Sequence, residues 1–372
     1  MDELKELPQV DDYRQLFIQD TPMIDVRAPV EFHQGAFPHV DNLPLMDDDD
    51  RREIGIRYKE SGQEQAILLG KTRVSGNVKT ERVDAWANFV RNHPQGVLYC
   101  FRGGLRSKIS QFWIYEKTGI IYPRVKGGYK AMRHFLLETL QAVEHHMQAI
   151  VIGGRTGTGK TLLLNQTQHK IDLEGIYHHR GSAFGNHAKP QPSQIDIENA
   201  LAIAWLKLQH AGVSTVIMED EAANIGSRRI PDTFIEKLKT SPLILLEEDI
   251  DTRANNVFND YIVDALQEHR NVHGEEIGNI AWAENLRASL RKIERRLGGK
   301  RFQDLNALLE EALLQHRESN ETDYFRSLIR QLLVDYYDPM YDFQLAKKTE
   351  RVIFKGDTAA VLSYLREHHQ VV

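Results

Sequence analysis

The stretch GRTGTGKT, residues 154–161, constrains the fold of this chain more than any other. It matches the phosphate-loop pattern G-x-x-x-x-G-K-[ST] at every defined position, and it lies between an apolar run and a helical run, as the pattern requires. Glycines let backbone N–H groups turn toward phosphate oxygens, while the following helix and the lysine add positive charge. The chain is therefore predicted to contain an α/β domain with a parallel sheet that binds a diphosphate or triphosphate. The residues assigned to this ligand are Gly154, Gly157, Thr158, Gly159, Lys160 and Thr161.

A second candidate part of this site is the acidic end of an apolar strand. The run STVIMEDE ends in Glu219, Asp220 and Glu221, and acids at such a strand end can orient a metal ion or a water molecule. Thr161 can hold a magnesium ion if one accompanies the phosphates. The sequence leaves the metal requirement unknown, and the phosphate loop alone does not establish nucleotide hydrolysis.

The chain has one cysteine, Cys100, in the stretch VLYCFRGGLRSK. It ends an apolar run, and two glycines and a helical run follow it. Backbone N–H groups of such a loop, the N-terminus of the next helix, and the charges of Arg102 and Arg106 all favour the thiolate. A lone cysteine is often only a small buried hydrophobe. Because of the cationic glycine loop, we interpret Cys100 as a candidate nucleophile.

Apolar periodicity divides the chain into three regions. Residues 1–135 alternate short apolar strands such as PMIDV and GVLYC with helices, which predicts an α/β domain. Residues 136–251 contain the phosphate loop and the strands AIVIG, STVIMED and PLILLEE. Residues 252–372 are mainly helical, with one late strand signal, RVIFKG. The acidic run at 47–50 predicts a solvated loop or the start of a helix.

Composition limits where the chain works and what it binds. No run of about 18 apolar residues occurs, so a membrane span is not expected. The N-terminal stretch is acidic and lacks an apolar segment, which argues against secretion. One cysteine cannot form an internal disulfide, which is typical of the reducing cytoplasm. The net charge of -6 means that any nucleic-acid binding must use a local basic patch.

One such patch is the stretch RASLRKIERRLGGKR, residues 287–301. If its helix continues to about residue 297, Arg291, Arg295 and, one turn on, Lys300 can share a face that contacts a phosphate backbone. The alternative is a solvated helix that forms salt bridges with the run LLEEALLQ. Nearby aromatic residues that could stack on a base, but are more often part of a core, are Trp282, Tyr336 and Tyr337.

The stretches IDVRAPVEFHQGAFPHVDNLPL (24–45) and YCFRGGLRS (99–107) resemble the leading signature and the cysteine loop of rhodanese-like sulfurtransferases. Four further stretches are DDDDRREIGIRYKESGQEQAILLG (47–70), HHRGSAFG (178–185), QPSQIDIENAL (191–201) and MEDEAANIG (218–226). These four, together with the fusion of a rhodanese-like domain to a phosphate-loop domain, resemble the tRNA 2-selenouridine synthases.

The resemblance implies a two-step change of the wobble uridine in the tRNAs for Lys, Glu and Gln. A 2-thiouridine is first S-alkylated with the geranyl group of geranyl diphosphate. Selenium from selenophosphate then displaces the geranylthio group and gives 2-selenouridine. No tightly bound cofactor is expected, and an enzyme that supplies selenophosphate is a further candidate partner.

The same resemblance implies roles for individual residues. Cys100 carries selenium, and Arg102 and Arg106 stabilise its anionic adduct. The phosphate loop binds the diphosphate. The stretch HRGSAFG is expected to form a second polar wall of that pocket, and an ordinary glycine-bounded turn is the alternative; its polar residues are His179, Arg180 and Ser182. Asp25 and Arg27 are expected to fix a loop rather than to react.

Two other functions remain open from the sequence. The phosphate loop is equally compatible with an ATPase or kinase that carries an accessory rhodanese-like domain. A regulatory module with an inactive rhodanese fold could instead sense phosphoanions, although the retained Cys100 in its cationic loop argues against this. Preferred binding of ATP over geranyl diphosphate would favour the first of these alternatives.

Overall fold

The structure, a computed structural model, describes residues 6–369. Its strands are β1 (Gln9–Val10), β2 (Met23–Asp25), β3 (Val40–Asn42), β4 (Val97–Tyr99), β5 (Arg124–Val125), β6 (Gln148–Gly153), β7 (Thr215–Glu219), β8 (Asn224–Ile225), β9 (Arg228–Arg229), β10 (Leu243–Leu246) and β11 (Val352–Gly356).

The helices alternate with these strands and then dominate the C-terminal third. They are α1 (Tyr13–Ile18), α2 (Pro29–Gln34), α3 (Asp48–Arg73), α4 (Gly76–Asn92), α5 (Leu105–Thr118), α6 (Gly128–His146), α7 (Lys160–Leu164), α8 (Leu173–Tyr177), α9 (Gln194–His210), α10 (Asp232–Thr240), α11 (Ile250–Phe258), α12 (Asp264–His273), α13 (Glu275–Leu297), α14 (Gly299–Ser319), α15 (Phe325–Leu332), α16 (Asp338–Leu345) and α17 (Thr358–His369). Two π-helical turns, Asn259–Val263 and Leu333–Tyr337, interrupt the C-terminal helices, and a 3₁₀ turn covers Thr349–Arg351.

The chain forms two compact units. The first runs to Ala142 and includes Ser193–Ala211, and the second comprises Val143–Pro192 and the chain from Gly212 onward. This differs from the three predicted regions, whose outermost residues, 1–5 and 370–372, lie outside the described part of the chain. The C-terminal helices belong to the same unit as the phosphate loop, because β11 returns to that unit's sheet and pairs with β10.

The first unit contains a five-stranded parallel sheet in the order β1-β5-β4-β2-β3. Its strands are short; β2 and β4 are fully buried, as expected for parallel strands inside a sheet, whereas the edge strands β1 and β3 are partly exposed. The core includes Ile24, Leu98 and Trp86, none of which is exposed. The predicted α/β fold of this region is therefore confirmed, with PMIDV and GVLYC forming β2 and β4.

Helix α9 packs in the first unit, although it follows the phosphate loop in sequence. Asp196 accepts a hydrogen bond from the backbone N–H of Ala36 at 2.6 Å, and Asn199 Nδ2 donates to the Ala36 carbonyl at 2.6 Å. These bonds satisfy both backbone groups of one loop residue. Local periodicity predicts such a helix but not its long-range partner, which is why the predicted boundary placed residues 193–211 in the central region.

Helix ends follow the local signals in the sequence. The acidic run at 47–50 begins α3: Asp47 is the N-cap and accepts from the Asp50 backbone N–H at 2.8 Å, so the predicted helix start is confirmed. Gly119 ends α5 in the left-handed conformation with φ of 70°, which glycine adopts without steric cost.

The second unit contains a four-stranded parallel sheet in the order β11-β10-β6-β7. The three strands predicted around the phosphate loop form β6, β7 and β10, and RVIFKG forms β11. A separate apolar core, with Trp282, Leu290 and Phe325 at its centre, holds the C-terminal helices together. The predicted fold class is confirmed. Within residues 6–369, no helix is long and apolar enough to cross a membrane.

Candidate active sites: the phosphate loop and the cysteine loop

The phosphate loop connects β6 to α7 and has the tight backbone that its glycines permit. Gly157 and Gly159 have φ of 85° and 81°. A Cβ at Gly157 would lie 2.5 Å from the Arg253 carbonyl oxygen, so this position requires glycine for space as well as conformation. Lys160 Nζ donates to the Gly154 carbonyl at 3.2 Å, which places the ammonium group across the mouth of the loop.

Helix α11 supports this loop from the C-terminal part of the chain. Asn256 Nδ2 donates to the Gly157 carbonyl at 2.8 Å, and Arg253 Nε donates to the Thr156 carbonyl at 3.0 Å. Arg253 is buried and also forms an ion pair with Asp338, with Nη1 3.0 Å from Oδ2. The helical region is therefore part of the phosphate-loop site. The sequence carried no motif that identified these two supporting residues.

A pair of carboxyl groups lies beside the last residue of the loop. Thr161 Oγ1 donates to Glu174 Oε2 at 3.0 Å. A Cβ at Gly181 would lie 2.3 Å from Glu174 Oε1 and 2.8 Å from Glu221 Oε1, so both carboxyl groups converge on this glycine. Burial, reinforced by the neighbouring Glu174 carboxylate and opposed by Lys160, raises the pKa of Glu221 to about 8. The pair therefore holds a proton at neutral pH.

The three consecutive acids predicted at the end of β7 have different surroundings. Glu219 is fully buried and accepts from the Leu173 backbone N–H at 3.1 Å; burial raises its pKa well above the usual range. Asp220 forms an ion pair with Lys348, whose Nζ lies 2.7 Å from both carboxylate oxygens. Of the three acids, Glu221 is the one that lies beside Glu174, whose carboxyl group accepts the hydrogen bond from Thr161. Its partner Glu174 was missed, since it belongs to no motif.

The free energy of unfolding of the Glu221→Gln variant is expected to increase relative to that of the unchanged protein as the pH rises from about 5 to about 9. The folded-state pKa of Glu221 lies above its usual value of 4.5, so the folded protein retains a proton that the unfolded chain has lost. Stability therefore falls across this interval, and glutamine, which cannot ionise, removes that fall. Thermal unfolding of both proteins at several pH values tests this.

Glu236→Gln, at an exposed position on α10, is the matched control because it removes a surface carboxyl group. A difference in Tm between Glu221→Gln and the unchanged protein that stays constant with pH would contradict the shifted titration.

The stretch HRGSAFG forms a turn next to this carboxyl pair, with Gly181 between the two. His179 is buried, and burial together with the nearby charge of Lys292 lowers its pKa to about 4, so its imidazole is neutral. Arg180 Nη2 lies 3.1 Å from Glu268 Oε2. The guanidinium group of Arg180 is thus already paired, and the wall that this turn presents is less cationic than the sequence suggested.

A second group of potential metal ligands lies behind this turn. The nearest ligand atoms of His178, His187 and Glu268 are within 4.8 Å of one another. The Glu268 carboxylate, however, already accepts from the Ala188 backbone N–H at 3.1 Å and pairs with Arg180. A guanidinium group on the same carboxylate opposes a bound cation, and the arrangement is better explained as a hydrogen-bonded brace for the turn.

Cys100 lies at the end of β4 in a tightly packed loop of the first unit. Its thiol is 3 % exposed and donates to Ser107 Oγ at 3.3 Å, and Ser107 in turn donates to the Gly104 carbonyl at 3.0 Å. The backbone N–H of Tyr129 donates to the Cys100 carbonyl at 2.9 Å. A Cβ at Gly128 would lie 2.2 Å from that carbonyl oxygen, so a neighbouring glycine turn fixes the loop.

The two arginines predicted to serve the cysteine have different environments. Arg106 forms a two-point ion pair with Glu31, with Nη1–Oε2 at 2.5 Å and Nη2–Oε1 at 3.2 Å. Burial would raise the pKa of Glu31, but Arg106 outweighs it and the pKa is lowered. Arg102 is exposed, and within residues 6–369 no carboxylate pairs with it. Of the two arginines, Arg102 is therefore the one whose guanidinium group has no carboxylate partner among the described residues. Glu31, the partner of Arg106, was not identified from the sequence.

The DVR segment has the structural role expected of it. Arg27 Nη2 lies 2.6 Å from Asp25 Oδ2, and both side chains are almost completely buried. The same guanidinium group donates to the Gly35 carbonyl at 2.9 Å and lies 3.8 Å from the centre of the Tyr129 ring. This ion pair joins β2 to the loop that carries Ala36.

The three residues of the predicted basic face lie on two consecutive helices. Helix α13 ends at Leu297, Gly298 has φ of 79°, and Lys300 belongs to α14, where it pairs with Asp304 at 2.7 Å. Arg291 and Arg295 are exposed on α13. Closer to the start of the patch, Arg287 forms the predicted alternative, a salt bridge with Glu310 of LLEEALLQ. The three aromatic residues near this patch are buried: Trp282, Tyr336 and Tyr337.

Comparison with known proteins places both sites in one family. Residues 147–371 match the model of the tRNA 2-selenouridine synthase AAA domain. The chain is 49% identical over 355 residues to a tRNA 2-selenouridine synthase of Bordetella petrii, covering 95% of each chain. It is also 49% identical over 359 residues to a protein of the same name from Pseudomonas putida, covering 96% of this chain and 97% of that one. The chain therefore belongs to the tRNA 2-selenouridine synthase family of enzymes.

Proposed function

We propose that this protein converts 2-thiouridine at the tRNA wobble position into 2-selenouridine in two steps, by geranylation and then by exchange for selenium. The observation that carries the proposal is the complete phosphate loop, braced by α11, in a chain of this family. A loop of this kind binds the diphosphate group of a substrate and stabilises it as a leaving group. The relatives' names concern selenouridine, and the geranyl step goes beyond them.

In the first step, the sulfur of 2-thiouridine attacks C1 of geranyl diphosphate. A C–S bond forms, the C–O bond to the diphosphate breaks, and the base loses its N3 proton. Negative charge grows on the departing pyrophosphate, where Lys160 and the inward-facing N–H groups of the loop can stabilise it. Alkylation also converts the sulfur into a better leaving group for the selenium exchange.

In the second step, the Cys100 thiolate attacks the phosphorus of selenophosphate and the P–Se bond breaks, which releases selenide. Selenide attacks C2 of the alkylated base, the geranylthio group takes up a proton and leaves as geranylthiol, and water cleaves the S–P bond to return phosphate and the free thiol. We assign selenium delivery to Cys100, because its loop combines a buried thiol with the exposed guanidinium group of Arg102, which can attract the selenophosphate anion. Arg106 contributes as part of an ion pair with Glu31 rather than as a free charge. The Ser107 hydroxyl, 3.3 Å from the sulfur, positions the thiol.

Magnesium fits beside the phosphate loop by the chemistry of its neighbours. The hydroxyl of Thr161 and the carboxyl groups of Glu174 and Glu221 are oxygen ligands of the kind that Mg²⁺ prefers. These residues would hold an ion that accompanies the diphosphate once the carboxyl pair has lost the proton that it holds at neutral pH. Such an ion would help to neutralise the charge of the departing pyrophosphate.

For tRNA binding, we propose the exposed part of α13 that carries Arg291 and Arg295. A basic helix face suits a phosphate backbone despite the acidic net charge. Lys300, on the next helix and paired with Asp304, is a weaker contributor than the sequence suggested. The tRNAs for Lys, Glu and Gln remain the proposed substrates in the cytoplasm, and an enzyme that makes selenophosphate remains the proposed supplier.

The ligand preference of the phosphate loop tests this proposal against a nucleotide-driven enzyme. In calorimetric titrations with magnesium present, geranyl diphosphate is expected to bind at least about tenfold more tightly than ATP or GTP. ATP bound more tightly than geranyl diphosphate, together with tRNA-stimulated ATP hydrolysis, would instead favour the ATPase alternative. Pyrophosphate serves as the reference ligand, because it reports the diphosphate contacts alone.

A further inference from the structure

A polar cleft of about 520 Å³ opens between α11 and α15 in the second unit, a volume within the range of ligand-binding sites. Two arginines, one turn apart on α15, line it together with hydroxyl and amide groups. The polar lining residues are Asp251, Thr252, Asn255, Arg326, Ser327 and Arg330. Guanidinium, hydroxyl and amide groups are among those with which proteins contact the phosphates of nucleic acids. The lining therefore suits a ligand that carries phosphate groups.

Contacts within the protein hold Arg326 in place. Its guanidinium carbon lies 4.0 Å from the centre of the Phe258 ring, its Nη1 donates to Asn255 Oδ1 at 2.8 Å, and its Nε donates to Asp323 Oδ1 at 2.8 Å. The side chain is nevertheless about half exposed. A guanidinium group that is already fixed loses little conformational entropy when it binds an anion. Arg326 is therefore ready to receive a phosphate group from the solvent side.

Arg330 forms an ion pair with Asp251, which lines the same cleft. The two side chains are 53% and 79% exposed. An ion pair this exposed contributes little to stability. A phosphate group offers a guanidinium fork the same pair of oxygens as a carboxylate, so it can replace Asp251 as the partner of Arg330. Asp251 then becomes a negative charge beside the ligand and lowers the affinity for it.

Helix α11 separates this cleft from the phosphate loop. Asn255 lines the cleft, whereas Arg253 and Asn256, on the opposite face of the helix, donate to carbonyl groups of the loop. A ligand in the cleft therefore lies about one helix diameter, ~10–12 Å, from the diphosphate site. A chain of nucleotides bound in the cleft can extend over that distance. A small free phosphoanion in the cleft would have no connection with the reaction.

We propose that this cleft binds the phosphodiester backbone of the tRNA substrate through Arg326 and Arg330, and that Asp251 neutralises Arg330 when no tRNA is bound. This inference rests on the proposed function and adds a tRNA contact separate from the surface of α13. Because contacts to phosphates carry no sequence information, the cleft holds different tRNA substrates alike.

The test is binding of thiolated tRNA over a range of salt concentrations. Arg330→Gln is expected to weaken binding about fivefold at ~0.15 M salt and to reduce the slope of log affinity against log salt by about one, as for one lost phosphate contact. Asp251→Asn is expected to tighten binding about twofold to threefold, because it removes a charge that repels RNA and releases Arg330. A pair that served only to join α11 to α15 would lose the same contact in either variant, so the opposite signs are decisive.

Arg229→Gln is the matched control, because Arg229 is an exposed arginine of the same unit that pairs with exposed Asp232 at 2.6 Å. It should change the affinity for tRNA less than about twofold. Pyrophosphate should bind Arg330→Gln and Asp251→Asn within about twofold of the unchanged protein, which shows that both variants fold with an intact phosphate loop.

Three results would overturn the cleft assignment and leave the proposed reaction standing. The first is an affinity for tRNA that falls in both Arg330→Gln and Asp251→Asn, and the second is one that changes in neither. The third is a loss of pyrophosphate binding by Arg330→Gln equal to its loss of tRNA binding, which would mean a site for small phosphoanions. If the unchanged protein does not bind thiolated tRNA, both the cleft assignment and the proposed function fail.

Discussion

Cys100→Ala is expected to abolish formation of 2-selenouridine, by at least about 10²-fold in rate, while thiolated tRNA is still geranylated. Alanine removes the sulfur that the selenium step requires, and the lost volume is small enough for the packed loop to tolerate. The phosphate loop belongs to the other compact unit and keeps its own contacts. Nucleoside mass spectrometry should therefore show accumulated 2-geranylthiouridine without the selenium product.

Ser107→Ala is the graded control for this experiment. It removes the hydroxyl partner of the thiol but leaves the sulfur in place, so selenium transfer should slow without disappearing. Normal selenation by Cys100→Ala would exclude the cysteine from the reaction. Loss of both products, with a Tm far below that of the unchanged protein, would mean that Cys100 serves the fold.

Lys160→Ala is expected to impair geranylation and to leave the selenium step intact, the reverse of Cys100→Ala. Geranylation should fall by about 10² to 10³-fold, because the departing pyrophosphate loses a charged partner. Lys160 Nζ donates to the Gly154 carbonyl, and its charge also lowers the pKa values of Glu174 and Glu221, so the Tm of this variant is measured alongside its activity to show that it folds. Direct titration should show weaker binding of both pyrophosphate and geranyl diphosphate.

The variant also separates the two steps. Supplied with tRNA that already carries 2-geranylthiouridine, Lys160→Ala should still convert it with selenophosphate. Lys239→Ala, an exposed lysine on α10, is the control for loss of a positive charge in the same unit. Geranylation by Lys160→Ala at the normal rate would remove the phosphate loop from the proposed mechanism.

Patterns within short stretches of the sequence were sufficient to predict the strands, helices and loops that form both sites. The phosphate loop, its flanking strand and helix, and the strand that leads into Cys100 all depend on residues close together in the chain. For that reason the fold class could be predicted from periodicity and motif context.

The supporting contacts could not be predicted in this way, because they join residues far apart in sequence. Arg253 and Asn256 reach the phosphate loop from about a hundred residues away. Glu31 pairs with Arg106, which lies 75 residues further along the chain, and no motif around Glu31 indicates that partner. Helix α13 ends at Leu297, close to the predicted end, and Gly298 then separates Lys300 on α14 from Arg291 and Arg295 on α13.

The most direct test of the central claim is nucleoside mass spectrometry of thiolated tRNA incubated with the unchanged protein and geranyl diphosphate, with selenophosphate added afterwards. 2-Geranylthiouridine is expected to appear first, and 2-selenouridine is expected to replace it, with equivalent release of geranylthiol, once selenophosphate is present. If 2-selenouridine forms equally fast without geranyl diphosphate, or if neither nucleoside appears while ATP is consumed, the two-step account is contradicted.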